Sequence, residues 1–315
     1  MDHSDLLTLN TTDIEQHETL RELVNAATAD NTRRAYQSDL RQFLSWGGQL
    51  PTTSQQIMDY LQVVATTLNP NTLQRRVLAL HHWHELQGID DPTKNQLVKK
   101  TLTGIRRKYG RPVEKPAPFL LSDIDRSAAY WQQQDTLVSL RDRALVLIGF
   151  HVAGRRNELS AMDWEHIDYA EEGMVIHFPR SKTDQYHKGT NCSIPVGSAP
   201  HRCPLQALLD WRKESGCHTG PVFRALSKTE RVLERSISPY QVNCRVQWVA
   251  RAANLPNASK ISAHSLRRGF ATEAARRGVP LKAIMQHGRW KSIKTVLEYI
   301  EEGRGFIDSP LKAFY

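Results

Sequence analysis

Three prolines fall within eight residues between Arg111 and Pro118 (RPVEKPAP), so no helix is expected to run through that stretch. Proline lacks the backbone N–H that a helix uses, and it pushes the preceding residue toward extended backbone. The segment reads as a linker that divides the 315 residues into two parts of unlike pattern. A chain of this length suits two domains better than one compact core. The expected boundaries are a helical domain over 13–110, a linker over 111–118 and a second domain over 119–315.

Ahead of the linker, after a loose tail over 1–12, apolar residues recur at helical spacing. Asp13 to Thr28 reads as a first helix. Asn31 is the expected N-cap of a second, which Gly47-Gly48 stops. Ser54 to Thr67 makes a third. Asn71 or Thr72 opens a fourth, with Leu73, Val77, Leu80 and His84 on one stripe, and Gln96 to Tyr109 makes a fifth. Basic side chains gather at the helix ends: Arg33 and Arg34, Arg75 and Arg76, Lys99 and Lys100, and Arg106, Arg107 and Lys108. Cations in a last helical turn suit the helix dipole. Repeated clusters in one small domain also fit phosphate contacts along DNA.

Past the linker the pattern changes. Ser122 is the expected cap of a helix starting at Asp123. Leu140 to Val152 is apolar nearly all round, as a buried central helix would be. Ala153 to Leu159 (AGRRNEL) turns into another helix. Gly173 to Pro179 and Asn191 to Val196 alternate with period two and predict two antiparallel strands, with Lys182 at the tip between them. From Leu205 the chain is helical again, broken by GPVFRAL and by the loop near Asn254 to Ile261. Residues 262–299 read as three helices, with Gly278 ending the first, Pro280 starting the second and Ser292 preceding the third.

Hydrophobic residues at 40% and charged residues at 24% are ordinary for a soluble globular protein. No stretch approaches the roughly 18 apolar residues of a membrane span. The start, MDHSDLLTLNTTDIEQ, has no basic segment followed by an apolar one and does not read as a secretory signal. A net charge of +9 favours a polyanionic partner, because each cation at a phosphate releases counterions. Cys192, Cys203, Cys217 and Cys244 have no metal-ligand spacing, so no structural metal is expected. Scattered thiols predict a reducing, cytoplasmic setting.

The residues suited to chemistry cluster late in the chain. Ile261 to Tyr299 holds His264 and Arg267 at i, i+3, then His287-Gly288-Arg289-Trp290, and Tyr299 nine residues past the Trp. On a helix, His264 and Arg267 share a face and can meet one phosphate. Earlier come Arg155-x-x-Glu158-Leu159 after the buried helix and Lys182 on the hairpin. In this order the set resembles the tyrosine recombinase (phage integrase) family. It is most similar to the simple two-domain members, because a Trp and not a His stands nine before the Tyr. NTRRAYQSDLRQFLSW is similar to that family's N-terminal core-binding helix, and NTLQRRVLALHHWHE to a later one.

The resemblance implies a mainly α fold with a small antiparallel sheet: a helical, SAM-like core-binding domain and an α+β catalytic domain that together clamp duplex DNA. It assigns Arg155 and Arg267 to the scissile phosphate, with Arg156 as the competing candidate for the first. Planar guanidiniums remain charged and grip nonbridging oxygens through paired hydrogen bonds. Tyr299 would be the nucleophile, a phenol that must lose its proton as it attacks. His264 would accept or orient that proton. Lys182 would protonate the leaving 5′-oxygen, with Lys188 as rival. Trp290 would pack at the phosphate and offer its indole N–H, His287 being the alternative for that sixth position, and Glu158 would support a neighbour through a hydrogen bond. Arg33, Arg34, Arg75, Arg76, Arg106, Arg107 and Lys108 are the candidate DNA-backbone contacts of the first domain.

The activity so implied is site-specific recombination through a 3′-phosphotyrosine and a Holliday junction. It would be performed by a homotetramer on two DNA sites, with no metal and no ATP. The apolar tail Ile300 to Tyr315 would dock on a neighbouring protomer. A type IB topoisomerase-like strand transferase and a catalytically silent DNA-binding relative are the competing readings.

Overall fold

The computed structural model describes residues 27–112, 114–179, 189–197, 199–304, 309, 311 and 314, with backbone only over 301–304. Most of the helix read from Asp13 to Thr28, the hairpin lysines Lys182 and Lys188, and half of the tail Ile300 to Tyr315 lie outside the described residues. The chain divides into two compact units, Met1–Val113 and Glu114–Tyr315.

The first unit is helical: α1 (Asp30–Trp46), α2 (Ser54–Val64), α3 (Pro70–Leu86) and α4 (Gln96–Tyr109). Its core is the periodic apolar set, including Leu40, Phe43, Ile57, Leu61, Leu73, Leu80 and Val98. Gly47 ends α1 in the left-handed region at φ 111°, where its N–H reaches the Leu44 carbonyl. Two helix starts differ from the sequence reading. α1 begins after Ala29, not Asn31, and puts the Asp30 carboxylate in its first turn, where the dipole favours it. α3 begins at Pro70, because the Asn69 side chain accepts the Asn71 N–H at 2.9 Å and Pro70 needs no donor there.

The second unit contains α5 (Leu121–Gln132), α6 (Leu137–His151), α7 (Arg156–Ser160) and strands β1 (Ile167–Ala170), β2 (Gly173–Phe178) and β3 (Thr190–Pro195). It continues with α8 (Pro204–Ser215), β4 (Arg224–Leu226), β5 (Val232–Ser236), α9 (Pro239–Ala252), α10 (Ala263–Arg276), α11 (Leu281–Gly288) and α12 (Ile293–Arg304). The architecture is mainly α with small antiparallel sheets. α6 is the buried centre, with Leu145, Val146, Leu147 and Ile148 fully enclosed. It also buries a charge: Asp142 is held by Arg141 at 2.9 Å and by Arg245 of α9, 2.7 Å from its Nε. A lone carboxylate there would be costly, and the two guanidiniums make it tolerable.

The strands form an antiparallel sheet in the order β1-β2-β3, with Met174 opposite Ile194 and Ile176 opposite Cys192. Met174, Ile176, Phe178, Cys192 and Ile194 face the core, as the alternation predicts. Val196 does not: it lies past the end of β3 and is 53% exposed. The sequence reading missed β1 and the β4–β5 hairpin, because strands of three to five residues carry too little alternation to be seen. The cap of α5 is also corrected. Asp123, not Ser122, closes the helix start by accepting the Leu120 N–H at 2.8 Å.

The residues leading into α5 are strapped along α10, which packs on α12 and α6. The Ala117 N–H reaches the Lys260 carbonyl and the Phe119 N–H that of Ser265, both at 2.9 Å. This close approach needs Gly269, where an added Cβ would sit 1.8 Å from the Phe119 carbonyl oxygen. Gly269→Ala must move backbone against backbone, so it should destabilise the second unit by about 3 kcal/mol. Chemical denaturation of the two proteins checks this, and equal midpoints would mean that the strap yields.

Candidate active site

Four described segments of the second unit bring candidate residues together, and a fifth candidate segment, the Lys182 hairpin, lies outside the described residues. The first is the turn after α6, where Ala153 takes φ 48° and sends its carbonyl inward. A left-handed alanine is uncommon and marks a place where the surrounding structure imposes the backbone. Arg155 follows at the N-cap of α7, and Glu158 one turn on. The Arg155 N–H donates to one Glu158 oxygen at 3.0 Å, and Arg155 Nη1 to the other at 2.5 Å. Arg156, the competing candidate, is exposed.

The second segment is α10. Its first turn carries His264 and then Arg267, which is 2% exposed. Arg267 Nη1 donates to the Ala153 carbonyl at 2.6 Å, and its guanidinium carbon lies 3.9 Å from the centre of the Trp290 ring. Nη2 is buried, with no acceptor among the described residues. Burial and the nearby Arg155 push the Arg267 pKa down to about 9, so it is still a cation at neutral pH.

The third segment, the turn between α11 and α12, supplies Trp290, and the fourth, α12, supplies Tyr299, 6% exposed. The Tyr299 hydroxyl lies 2.9 Å from His264 Nε2. Burial raises the Tyr299 pKa, while Arg268 and Arg267 oppose the shift by favouring the phenolate. For His264, loss of water around the ring lowers the pKa, and Arg267, Arg268 and Arg155 lower it further. The imidazole is therefore neutral at neutral pH and can accept the phenol's proton.

His287 is turned elsewhere. Its Nε2 donates to the His151 carbonyl at 2.6 Å and its ring stacks on Phe270, centroids 4.5 Å apart. Of the two candidates for the sixth position, Trp290 is the one against Arg267.

Two further cations stand here that sequence reasoning did not assign. Arg268 lies 5.5 Å from the Tyr299 ring centre and donates to the Pro116 carbonyl. Arg289 donates to Glu158 Oε2 at 3.0 Å. The only signal for Arg289 was its place in the basic cluster beside Trp290, and Arg268 gave none beyond following Arg267.

In the first unit the basic candidates are unequal. Arg34, Arg106, Arg107 and Lys108 are exposed, Arg106 donating to Gln74 at 2.6 Å. Arg33 pairs with Asp30, and Arg75 forks onto Asp39 at 2.7 and 3.0 Å. Arg76 points inward: its side chain is 12% exposed, bonds the Tyr60 hydroxyl and lies 3.7 Å from Asp39. The spacing of Arg75 and Arg76 could not tell which of two adjacent cations would be drawn into the helical core.

Among the described residues no group of three or more His, Cys, Asp or Glu could hold a metal, and the four cysteines are free thiols. No described helix is long and apolar enough to cross a membrane. Chemically, the arrangement pairs a buried phenol and its base with a cationic clamp able to bind a tetrahedral anion.

The chain is similar to known proteins in sequence and in fold. The profile of the phage integrase family matches residues 128–304. The integrase/recombinase xerD homolog of Selenomonas ruminantium is 32% identical over 295 residues, covering 91% of this chain and 86% of that protein. Recombinase cre of Escherichia phage P1 is 24% identical over 268 residues, covering 79% and 76%. In structure, the chain is similar to XerH site-specific recombinase bound to a palindromic difH substrate after cleavage. The TM-score is 0.62 at 15% identity, over 88% of this chain and 77% of that one. A lambda integrase dimer bound to a COC' core site gives a TM-score of 0.61 at 14% identity, over 93% and 77%.

Proposed function

The chain belongs to the phage integrase family, and from that premise we propose that it is a site-specific tyrosine recombinase that cuts and rejoins DNA. The observation that carries the reading is the Tyr299 hydroxyl, 2.9 Å from His264 Nε2, beside a buried Arg267 whose Nη2 has no acceptor among the described residues. Tyr299 oxygen attacks the scissile phosphorus as its proton passes to His264. The bond from phosphorus to the 5′-oxygen breaks, leaving a 3′-phosphotyrosine. Arg155 and Arg267 neutralise the charge that builds on the nonbridging oxygens, and Trp290 holds Arg267 in place. Lys182 protonates the departing 5′-oxygen. Reversal by a 5′-hydroxyl from the partner site seals the exchanged strand. The ester keeps the bond energy, so neither ATP nor a metal is needed.

Four protomers would act on two duplex sites through a Holliday junction, each docking its tail Ile300 to Tyr315 on a neighbour. The helical unit would contact the DNA backbone through its exposed cations, Arg34, Arg107 and Lys108 among them. The protein would work in the cytoplasm, nucleoid-associated when on DNA, which cell fractionation would check.

The test uses duplexes recovered by binding-site selection and nicked near the cleavage point, so that the released 5′-end diffuses away. An SDS-resistant adduct should accumulate, unchanged by EDTA, and binding should weaken steeply with salt. Relaxation of plasmids lacking the site would favour a topoisomerase, and binding without any adduct a silent relative. Truncation after Glu302 should leave cleavage of a single site intact but lose the four-protomer complex in gel shifts.

The same assay gives a pH signature. A depressed His264 pKa keeps the ring unprotonated as pH falls through the usual histidine range near about 6.5. With sub-saturating DNA, cleavage should hold level from pH 8 to about 6.5 and fall only below it. An acid limb centred above that value would mean that His264 is not the base.

A further inference from the structure

Arg289 closes α11 in the left-handed region at φ 59°, a place where helices ordinarily use glycine. The helix end is otherwise regular: the Arg289 N–H reaches the Gln286 carbonyl at 3.2 Å and the Trp290 N–H that of Met285 at 2.9 Å. A bulky residue tolerated in that conformation points to work done by its side chain.

The side chain is 4% exposed and runs inward. Nη2 donates to the Val152 carbonyl at 2.9 Å and to Glu158 Oε2 at 3.0 Å, while Nη1 donates to the His287 carbonyl at 3.1 Å. The Phe178 ring lies 4.0 Å from the guanidinium carbon. Glu158 is equally enclosed, and its other oxygen grips Arg155. The next residue in sequence, Trp290, lies on Arg267. One residue is thus tied to both guanidiniums of the phosphate clamp.

We infer that Arg289 is a positioning residue for the clamp: its guanidinium shares the Glu158 carboxylate with Arg155, and its backbone turn delivers Trp290 onto Arg267. The inference rests on the recombinase reading above. A carboxylate buried between two cations is divided between them. With Arg289 gone, Glu158 has Arg155 alone as its cation and draws that guanidinium away from the phosphate. Burial opposes ionisation of Glu158, yet Arg289, the strongest opposing influence, helps hold its pKa below the usual range.

The test compares wild type and Arg289→Met on nicked duplexes carrying either the natural phosphate or a methylphosphonate at the cleavage point. A methylphosphonate lacks one charged nonbridging oxygen, so the guanidiniums have one negative charge fewer to neutralise. On phosphate, Arg289→Met should cleave about 50-fold more slowly at saturating DNA, with affinity within about threefold of wild type. On methylphosphonate, the loss relative to wild type should be no more than about fivefold. Adding Glu158→Gln, which removes the competing charge, should make Arg289→Met/Glu158→Gln no slower than Glu158→Gln alone. Arg289→Lys keeps the charge but not the fork and should lose about tenfold on phosphate with the same substrate selectivity, which serves if the Met variant does not fold. Equal losses on both substrates, or cleavage of phosphate at wild-type rate by a folded variant, would overturn the inference. Failure of wild type to form any adduct would instead overturn the recombinase reading, and it would be seen before a variant is made.

Discussion

Tyr299→Phe should bind its DNA site with unchanged affinity and form no SDS-resistant adduct at all. The substitution removes one oxygen and nothing else. The ring stays packed 6.4 Å from Trp290 and 5.5 Å from Arg268, so the cleft keeps its shape. The lost hydrogen bond to His264 costs roughly 1 kcal/mol of stability, too little to unfold the domain. Cleavage should drop by at least about 10⁴-fold, because a covalent route without its nucleophile has no slower version of the same step. Denaturing gels of trapped complexes decide it. An adduct that persists would move the nucleophile to another tyrosine and undo the role given to His264 as well.

Arg267→Lys should slow cleavage by about 10²- to 10³-fold while leaving DNA affinity within about tenfold. Lysine preserves the charge, so long-range attraction to the phosphate survives. What it cannot do is bond the Ala153 carbonyl, lie flat on Trp290 and offer a second donor to a nonbridging oxygen at once. The loss should therefore fall on the rate at saturating DNA, not on binding, the mark of an interaction made mainly in the transition state. Single-turnover rates across a DNA titration separate the two. A rate within about fivefold of wild type would mean that charge alone suffices and that the planar clamp is a misreading.

The pairs most easily read from the sequence are close in the chain. His264 and Arg267 share a helix face because α-helical geometry requires it, and Glu158 reaches Arg155 because a side chain at N3 folds back onto the N-cap. Gly47, the Pro112-to-Pro118 stretch and the alternation through Met174, Ile176 and Phe178 likewise express rules that act over a few residues. The starts of α1, α3 and α5 shifted within that same range, because several nearby polar side chains compete to cap one helix end.

What escaped the sequence lies between distant segments. The pairing of Arg289 with Glu158 spans 131 positions, and the contact of Arg267 with the Ala153 carbonyl spans 114. No periodicity announces such partners. An arginine destined for a buried carboxylate has the same local pattern as one left in water, as Arg76 shows beside Arg75. The choice is made only when the chain closes and each buried charge must find a counter-charge or be excluded.

By itself, then, the amino-acid order determined the longer helices, the alternating strands and which side chains could carry phosphoryl chemistry, since these depend on near neighbours and on functional groups. Only the tertiary structure decided that Tyr299 meets His264, that Trp290 and not His287 covers Arg267, and that Arg289 shares the Glu158 carboxylate with Arg155. Those outcomes depend on where remote backbones cross, and desolvation there permits few alternatives.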